Sequence, residues 1–378
     1  MKFLSEENVS NKRVVLRCDF NVPVKDGIIL DNSKIIKSLK TIKLLLNNNN
    51  KVVILSHFGR VKSEEDFNDN SLKIVFDELK KHINVVFSNK PIDIEKDLLE
   101  YECILLENTR FNDVPNKRES INDLELAKYY ASLGDVFVFD AFGASHRIHS
   151  STAGIANYLP TYIGLLVEEE IYNLSVLFEN INNGFVAIMG GAKVDDKIPL
   201  INYLINKCDK LVLTGGILNS FLKQKGLSVG NSLVNTDELV NESILQVLKQ
   251  HSDKLVFSDK FVVEDGKIKN ILEINENDKI CDNIINDNLT LNNAKIIFVN
   301  GTTGMYEHGY DLGTKALFDL LPKMTAKTII GGGDTSSAVK KYANPDDFYY
   351  VSSGGGATLE YIVEGKIKVL DYIENKQK

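Results

Sequence analysis

Short apolar runs recur along this chain, separated by stretches whose apolar residues return every three or four positions. The runs fall at residues 14–16, 51–55, 84–88, 103–106 and 135–139 in the first half, and at 185–189, 210–214, 254–257, 296–299, 328–330 and 349–351 in the second. From Ser33 onward, Ile35, Leu39, Ile42 and Leu46 share one helical face. Further helices are expected near 71–82, 122–133, 217–224 and 237–250, with a connecting helix between 160 and 179. Strands that alternate with helices predict an α/β protein whose sheets are mostly parallel and covered on both faces. A chain of 378 residues exceeds what one core usually supports, so two domains are expected.

In the first half, four runs end in a polar group. Residues 14–16 lead to Asp19-Phe20-Asn21, 51–55 to His57-Phe58-Gly59-Arg60, 103–106 to Arg110 and 135–139 to Arg147. Ligands of an open α/β sheet bind beyond the carboxyl ends of its strands. Asp19, Asn21, His57, Arg60, Arg110 and Arg147 could therefore meet at one mouth. Each alone reads equally as a surface residue. Together they favour a small polyanion, because the guanidinium fork matches carboxylate and phosphate. The formal net charge of −8 argues against a general nucleic-acid binder or a membrane-surface protein. Any anion site must then be a local basic cluster.

The second half places glycines where the first places arginines. Strand ends run into Gly190-Gly191, Gly215-Gly216, Gly301, Gly331-Gly332-Gly333 and Gly354-Gly355-Gly356. Glycine lets a backbone approach phosphates closely. Gly190-Gly191-Ala192-Lys193-Val194-Asp195-Asp196-Lys197 is either a phosphate-binding turn or a strand-to-helix turn with solvated lysines, the two lysines standing one turn apart on a helix face. Asp334 and Thr335 open a helix after three glycines, a place for a carboxylate that helps hold Mg²⁺ or for a plain helix cap. No G-x-x-x-x-G-K-S/T is present and no G-x-G-x-x-G follows a strand, which weighs against an ordinary P-loop and a dinucleotide site. Cys18, Cys103, Cys208 and Cys281 are widely spaced, and the first residues lack an apolar signal core. A cytoplasmic protein without a zinc site is expected.

With these segments in view, the chain resembles the phosphoglycerate kinases from Asp19 to about Gly365. The matching stretches are DFNVP at 19–23, SHFGR at 56–60, ENTRF at 107–111, DAFGASHR at 140–147, GGAKVDDK at 190–197, NGTTGMYE at 300–307, GGGDT at 331–335 and SSGGGATLE at 352–360. The resemblance implies two Rossmann-like three-layer α/β/α domains: 1–160 for phosphoglycerate and 181–362 for nucleotide. A hinge helix at 161–180 would join them, and a tail at 363–378 would return to the first. It also implies reversible phosphoryl transfer from 1,3-bisphosphoglycerate to MgADP, giving 3-phosphoglycerate and MgATP, by a monomer. Position by position, Asp19, Phe20, Asn21, Lys34, His57, Phe58, Gly59, Arg60, Arg110 and Arg147 would bind phosphoglycerate. Gly191, Lys193, Lys197, Gly215, Asn300, Glu307, Gly332, Gly333, Asp334 and Thr335 would bind nucleotide, with Asp334 beside Mg²⁺. Lys34 and Lys193 would be catalytic.

The chain departs from the family in places. Lys34 stands where the family has arginine. A cation in a first helical turn opposes the macrodipole, so the position reads as kept for a ligand. Thr302 replaces proline, Phe139 replaces asparagine, and the adenine segment near 281–288 is not recognisable. Two alternatives follow: a weakly active or inactive paralogue that still binds nucleotide or phosphoglycerate, and an unrelated α/β dehydrogenase.

Overall fold

Past its first residue, every side chain of Arg13–Cys18 is buried, whichever side of the strand it leaves from. A parallel sheet covered on both faces demands this. In this computed structural model, which describes residues 1–90, 94–179, 183–285 and 288–377, that strand is β1. A hairpin follows, β2 (Val24–Lys25) and β3 (Ile28–Ile29), then α1 (Ser33–Asn47), β4 (Lys51–Leu55), α2 (Lys73–Leu79), β5 (Val86–Ser88), α3 (Ile94–Glu100) and β6 (Cys103–Leu106). Next come α4 (Leu124–Ser132), β7 (Val136–Asp140), β8 (Thr161–Ile163) and α5 (Leu165–Ser175). The sheet order is β5-β6-β4-β1-β7-β8, and all pairs are parallel. Val14, Leu16, Val52 and Ile54 join Ile35, Leu39 and Ile42 of α1 and Val75 of α2 in one core on one side of the sheet.

The second half runs β9 (Phe185–Met189), α6 (Ile198–Lys207), β10 (Lys210–Leu213), α7 (Gly215–Gln224), α8 (Glu238–Gln250), β11 (Leu255–Phe257), β12 (Lys260–Val263), β13 (Ile268–Asn270) and β14 (Ile280–Ile284). It continues with α9 (Asn288–Asn292), β15 (Ile296–Asn300), α10 (Leu312–Leu320), β16 (Lys327–Gly331), α11 (Gly333–Tyr342), β17 (Tyr350–Val351) and α12 (Gly356–Glu364). Its parallel sheet has the order β11-β10-β9-β15-β16-β17. The chain divides into two compact units, Met1–Asn173 with Lys366–Lys378, and Leu174–Gly365. It passes from one to the other inside α5 and again after Gly365. Residues 180–182 and 286–287, within the expected hinge, nucleotide-domain start and adenine segments, lie outside the described residues.

The last helix, α13 (Lys368–Lys376), belongs to the first unit. Val369, Leu370 and Ile373 are buried there, the Val369 N–H donates to the Ser145 carbonyl at 3.0 Å, and Asn157 bonds the Tyr372 hydroxyl at 3.0 Å.

One sheet was not expected, and two expectations are corrected. A separate antiparallel sheet, β13-β12-β14, lies between β11 and β15. Its strands are short, and an Asp265-Gly266 turn with Gly266 at φ +81° joins β12 to β13. The connecting segment after Pro160 begins as β8 rather than as helix. Lys193 and Lys197 do not share a helix face. Lys193 lies in a loop, Lys197 ends a short 3₁₀ turn, and α6 starts only at Ile198, with proline in its first turn.

Candidate active site

The first unit brings its strand-end residues together at neighbouring strands β6, β4, β1 and β7. Asp19, nearly buried, takes the Lys34 ammonium on one oxygen at 2.7 Å and the Asn21 N–H on the other at 3.1 Å. Burial works to raise this carboxyl, yet the Lys34 ammonium and the Asn21 N–H hold it well below the usual carboxylate range. The cation in the first turn of α1 thus has a partner in the protein. Asn21 accepts the Gly59 N–H at 2.9 Å, which ties the turn after β1 to the turn after β4. Gly59 sits at φ +60°, and a Cβ there would collide with the Asn70 side chain.

Arg110 is half-buried, and its Nε–H has no hydrogen-bond partner. A buried guanidinium N–H left unpaired is costly unless something binds it. Burial lowers the Arg147 guanidinium, as do its neighbours Arg110 and Arg60, while Asp19 opposes them. An anion beside these side chains would relieve this mutual repulsion. His57 is 6% exposed, and burial drives its ring well below the ordinary histidine range, with Arg17, Arg110 and Lys34 adding and Asp19 opposing. The imidazole is therefore neutral. Phe20 and Phe58 are buried in the core, so only their backbone could meet a ligand. Arg60 and Asn21 are exposed.

Two residues outside the expected set organise this mouth. Asn108 is buried and accepts the N–H groups of Phe58 at 3.1 Å and Arg110 at 3.0 Å, while its amide donates to the carbonyls of Phe58 and Asn70. It clamps the β4 and β6 ends together. Arg17, 1% exposed within β1, donates to His57 Nδ1 at 3.1 Å. Its position inside an apolar run was the one available signal.

The second unit builds its site from backbone. The Gly190 N–H donates to the Asn300 carbonyl at 2.8 Å and the Gly191 N–H to the Thr302 carbonyl at 3.0 Å. A Cβ on Gly301, at φ +100°, would lie 2.1 Å from the Gly190 carbonyl oxygen, so the ends of β9 and β15 touch through backbone. The Gly301 N–H donates to Thr335 Oγ1 at 2.6 Å, and Asn300 Nδ2 to the Gly331 carbonyl at 2.7 Å. Asn300 Oδ1 stays buried without a partner. Thr302 has lost proline's fixed φ, but its hydroxyl donates to the Gly304 carbonyl at 3.0 Å.

Two cavities open here and share Gly191, Ala192, Thr302 and Asp334 in their walls. One, of about 360 Å³, is lined by Lys193, Lys197, Asn300 and the turns Gly332–Thr335 and Gly355–Gly356. The other, of about 330 Å³, is more apolar and is lined by Gly215, Gly216, Leu233, Ile280, Cys281, Met305 and Glu307. Gly215 itself donates to Asn283 Oδ1 at 2.8 Å. Lys193 is exposed. Lys197 donates to the Gly190 carbonyl at 2.8 Å, and burial lowers its ammonium to about 8, with Asp334 and Asp196 opposing. Asp334 is an exposed carboxylate at the start of α11. Among the described residues no group of three or more His, Cys, Asp or Glu side chains could hold a metal by itself.

The phosphoglycerate kinase family model matches residues 4–366. A phosphoglycerate kinase from Lactiplantibacillus plantarum is 40% identical over 394 residues, covering 96% of each chain. One from Latilactobacillus sakei is 39% identical over 387 residues, 95% of each. The solved structure of phosphoglycerate kinase from Coxiella burnetii matches with a TM-score of 0.84 at 35% identity, over 98% of both chains. That from Pyrococcus horikoshii matches at 0.83 and 26% identity, over 100% of this chain and 99% of the other.

Proposed function

The chain belongs to the phosphoglycerate kinase family, carboxyl-accepting phosphotransferases of glycolysis, and from that premise we propose how its residues divide the reaction. Phosphoryl moves reversibly between the acyl phosphate of 1,3-bisphosphoglycerate and ADP. In the reverse direction the 3-phosphoglycerate carboxylate attacks the terminal phosphorus of ATP, so no side-chain nucleophile is needed. Phosphoryl transfer then depends on positioning and on charge stabilisation of the equatorial oxygens.

On this reading Arg60, Arg110 and Arg147 take the phosphate end of 3-phosphoglycerate, while Asp19, Asn21 and His57 take its polar remainder. Lys34 and Lys193 supply charge to the moving phosphoryl. Lys197 and the N–H groups of Gly332 to Thr335 hold nucleotide phosphates, and Glu307 the ribose. The observation that carries the reading is the Arg110–Arg147–His57 cluster at adjacent strand ends, with an orphaned guanidinium N–H.

Asp334, which lines the cavity of about 360 Å³ together with Asp196, suits Mg²⁺, which keeps waters and substrate phosphates as its other ligands. Bound there with the nucleotide, the ion would neutralise charge on the phosphates. Nothing in the comparisons supports the alternative of an inactive paralogue, and the family match excludes the dehydrogenase. No helix among the described residues is long and apolar enough to cross a membrane. Four free, buried thiols support a cytoplasmic setting, and the family resemblance supports a monomer.

A pair of variants tests the division. Arg110→Ala should raise KM for 3-phosphoglycerate by about tenfold or more and leave KM for ATP alone; Glu307→Ala should do the reverse. Equal effects on both substrates in either variant would contradict the assignment.

A further inference from the structure

From His57, at the strand ends of the first unit, a continuous chain of buried polar groups leads to side chains that the transfer reaction does not use. His57 Nδ1 faces Arg17 Nη2 at 3.1 Å. Arg17 Nε donates to Ser151 Oγ at 2.9 Å, and its third arm, Nη1, donates to the Cys18 carbonyl. Ser151 passes the connection on: its hydroxyl donates to Glu119 Oε1 at 2.5 Å and its N–H to Oε2 at 3.2 Å. Arg17 is 1% exposed, and Ser151 and Glu119 are fully buried.

The direction of each bond is fixed by chemistry. A guanidinium has donors and no acceptor, so His57 Nδ1 must accept, and the ring proton sits on Nε2. The Ser151 hydroxyl accepts from Arg17 and so has its one proton free for Glu119. Both Glu119 oxygens receive donors, the arrangement of the ionised carboxylate that prevails above about pH 7. A buried carboxylate needs a counter-charge, and Arg17 is the cation facing it. His149, whose Nδ1 lies 3.9 Å from Oε1, is kept neutral by burial, at about 4. Asp113 and Tyr130 also interact with Glu119.

We propose that Glu119 is a positioning residue for substrate binding: through Ser151 and Arg17 it holds His57 in the Nε2–H tautomer, so that the ring presents a donor to 3-phosphoglycerate. The proposal rests on the assignment of His57 to that substrate. It also accounts for the use of arginine at position 17, since lysine cannot bond His57, Ser151 and the Cys18 carbonyl in one plane.

The first measurement needs no variant. Long-range ¹H–¹⁵N NMR of the wild-type ring at pH 8, where Glu119 is ionised, should show Nδ1 unprotonated and Nε2 protonated. An Nδ1–H ring or an exchanging mixture would overturn the relay. Ser151→Ala cuts the chain without changing any charge. It should mix the two tautomers and weaken 3-phosphoglycerate binding about tenfold, with kcat within about twofold of wild type.

Glu119→Gln separates positioning from charge balance. Removing a negative charge near an anion pocket strengthens anion binding if charge is all that matters, whereas loss of the relay weakens it. Weaker 3-phosphoglycerate binding in calorimetry is the expected result, and tighter or unchanged binding contradicts it. His57→Ala serves as the reference. If it binds 3-phosphoglycerate like wild type, the substrate assignment fails and the relay loses its purpose. If it binds weakly while Ser151→Ala and Glu119→Gln bind normally, the relay alone is overturned.

Discussion

At the ends of β6, β4 and β7 the first unit offers long cationic side chains; at the ends of β9, β15 and β16 the second offers glycines and their N–H groups. The side-chain solution requires desolvated guanidinium groups that repel one another, and it brings buried counter-charges with it: Asp19 against Lys34, and Glu119 beneath Arg17. The backbone solution needs no counter-charge. It needs strands so close that a methyl group has no room, as at Gly301 and Gly190. Side chains with a planar fork discriminate among small polyanions, whereas a glycine cradle accepts phosphates through fixed dipoles. The first unit should therefore be sensitive to charge and tautomer, and the second to volume.

Volume is the sharper of the two. Gly301→Ala adds a Cβ 2.1 Å from the Gly190 carbonyl oxygen at φ +100°, and it should destabilise the fold by about 3 kcal/mol or more in denaturant unfolding. Gly27→Ala, at φ +74° with nothing within 4 Å, serves as the control and should cost only about 1 kcal/mol. Similar losses in the two would break the contrast.

Charge in the first unit is read by pH. Burial raises the Glu119 carboxyl to about 7, against Arg17 and Ser151, from an ordinary value of 4.5. Between those values the folded chain binds more protons at this site than the unfolded chain, so its contribution makes stability fall as pH rises and levels off above 7. The wild-type stability relative to Glu119→Gln should decline across pH 4.5 to 7 by on the order of 3 kcal/mol. A flat difference would mean that Glu119 ionises normally in the folded state.

Smaller effects probe two lysines, Lys34 and Lys197. Lys34→Arg restores a fork where the ammonium now pairs with Asp19 and should raise kcat several-fold with both KM values unchanged; an unchanged kcat would show that point charge suffices. Lys197, lowered by burial to about 8, should gain charge when nucleotide phosphates bind. Calorimetry in buffers of different ionisation enthalpy should find uptake of roughly half a proton at pH 8, absent in Lys197→Arg.

Much of this was legible from residues alone. Apolar runs ending in Asp19, His57, Arg110 and Arg147 place those groups at strand ends without coordinates, because a parallel strand buried on both faces must be apolar and must stop where polarity begins. What escaped had weak local signals. Strands β12 and β13 are short and carry lysines, though the Asp265-Gly266 pair between them was a usable turn signal. Lys193 and Lys197 suggested a helix face that Pro199 and the Gly191 turn preclude. Arg17 hides within an apolar run and Glu119 within an irregular loop. Only their burial beside Ser151 joins them, and that burial is a tertiary fact.

The central claim is that this chain transfers phosphoryl between the carboxylate of 3-phosphoglycerate and a nucleotide, with Lys193 stabilising the group in flight. The direct test is purified protein with 3-phosphoglycerate and MgATP, following 1,3-bisphosphoglycerate through a coupled dehydrogenase, beside Lys193→Ala. The account predicts robust turnover for the wild type and a kcat lower by about 10²- to 10³-fold in the variant, with both KM values little changed. Absence of turnover at high enzyme concentration, or a variant as active as wild type, would contradict it.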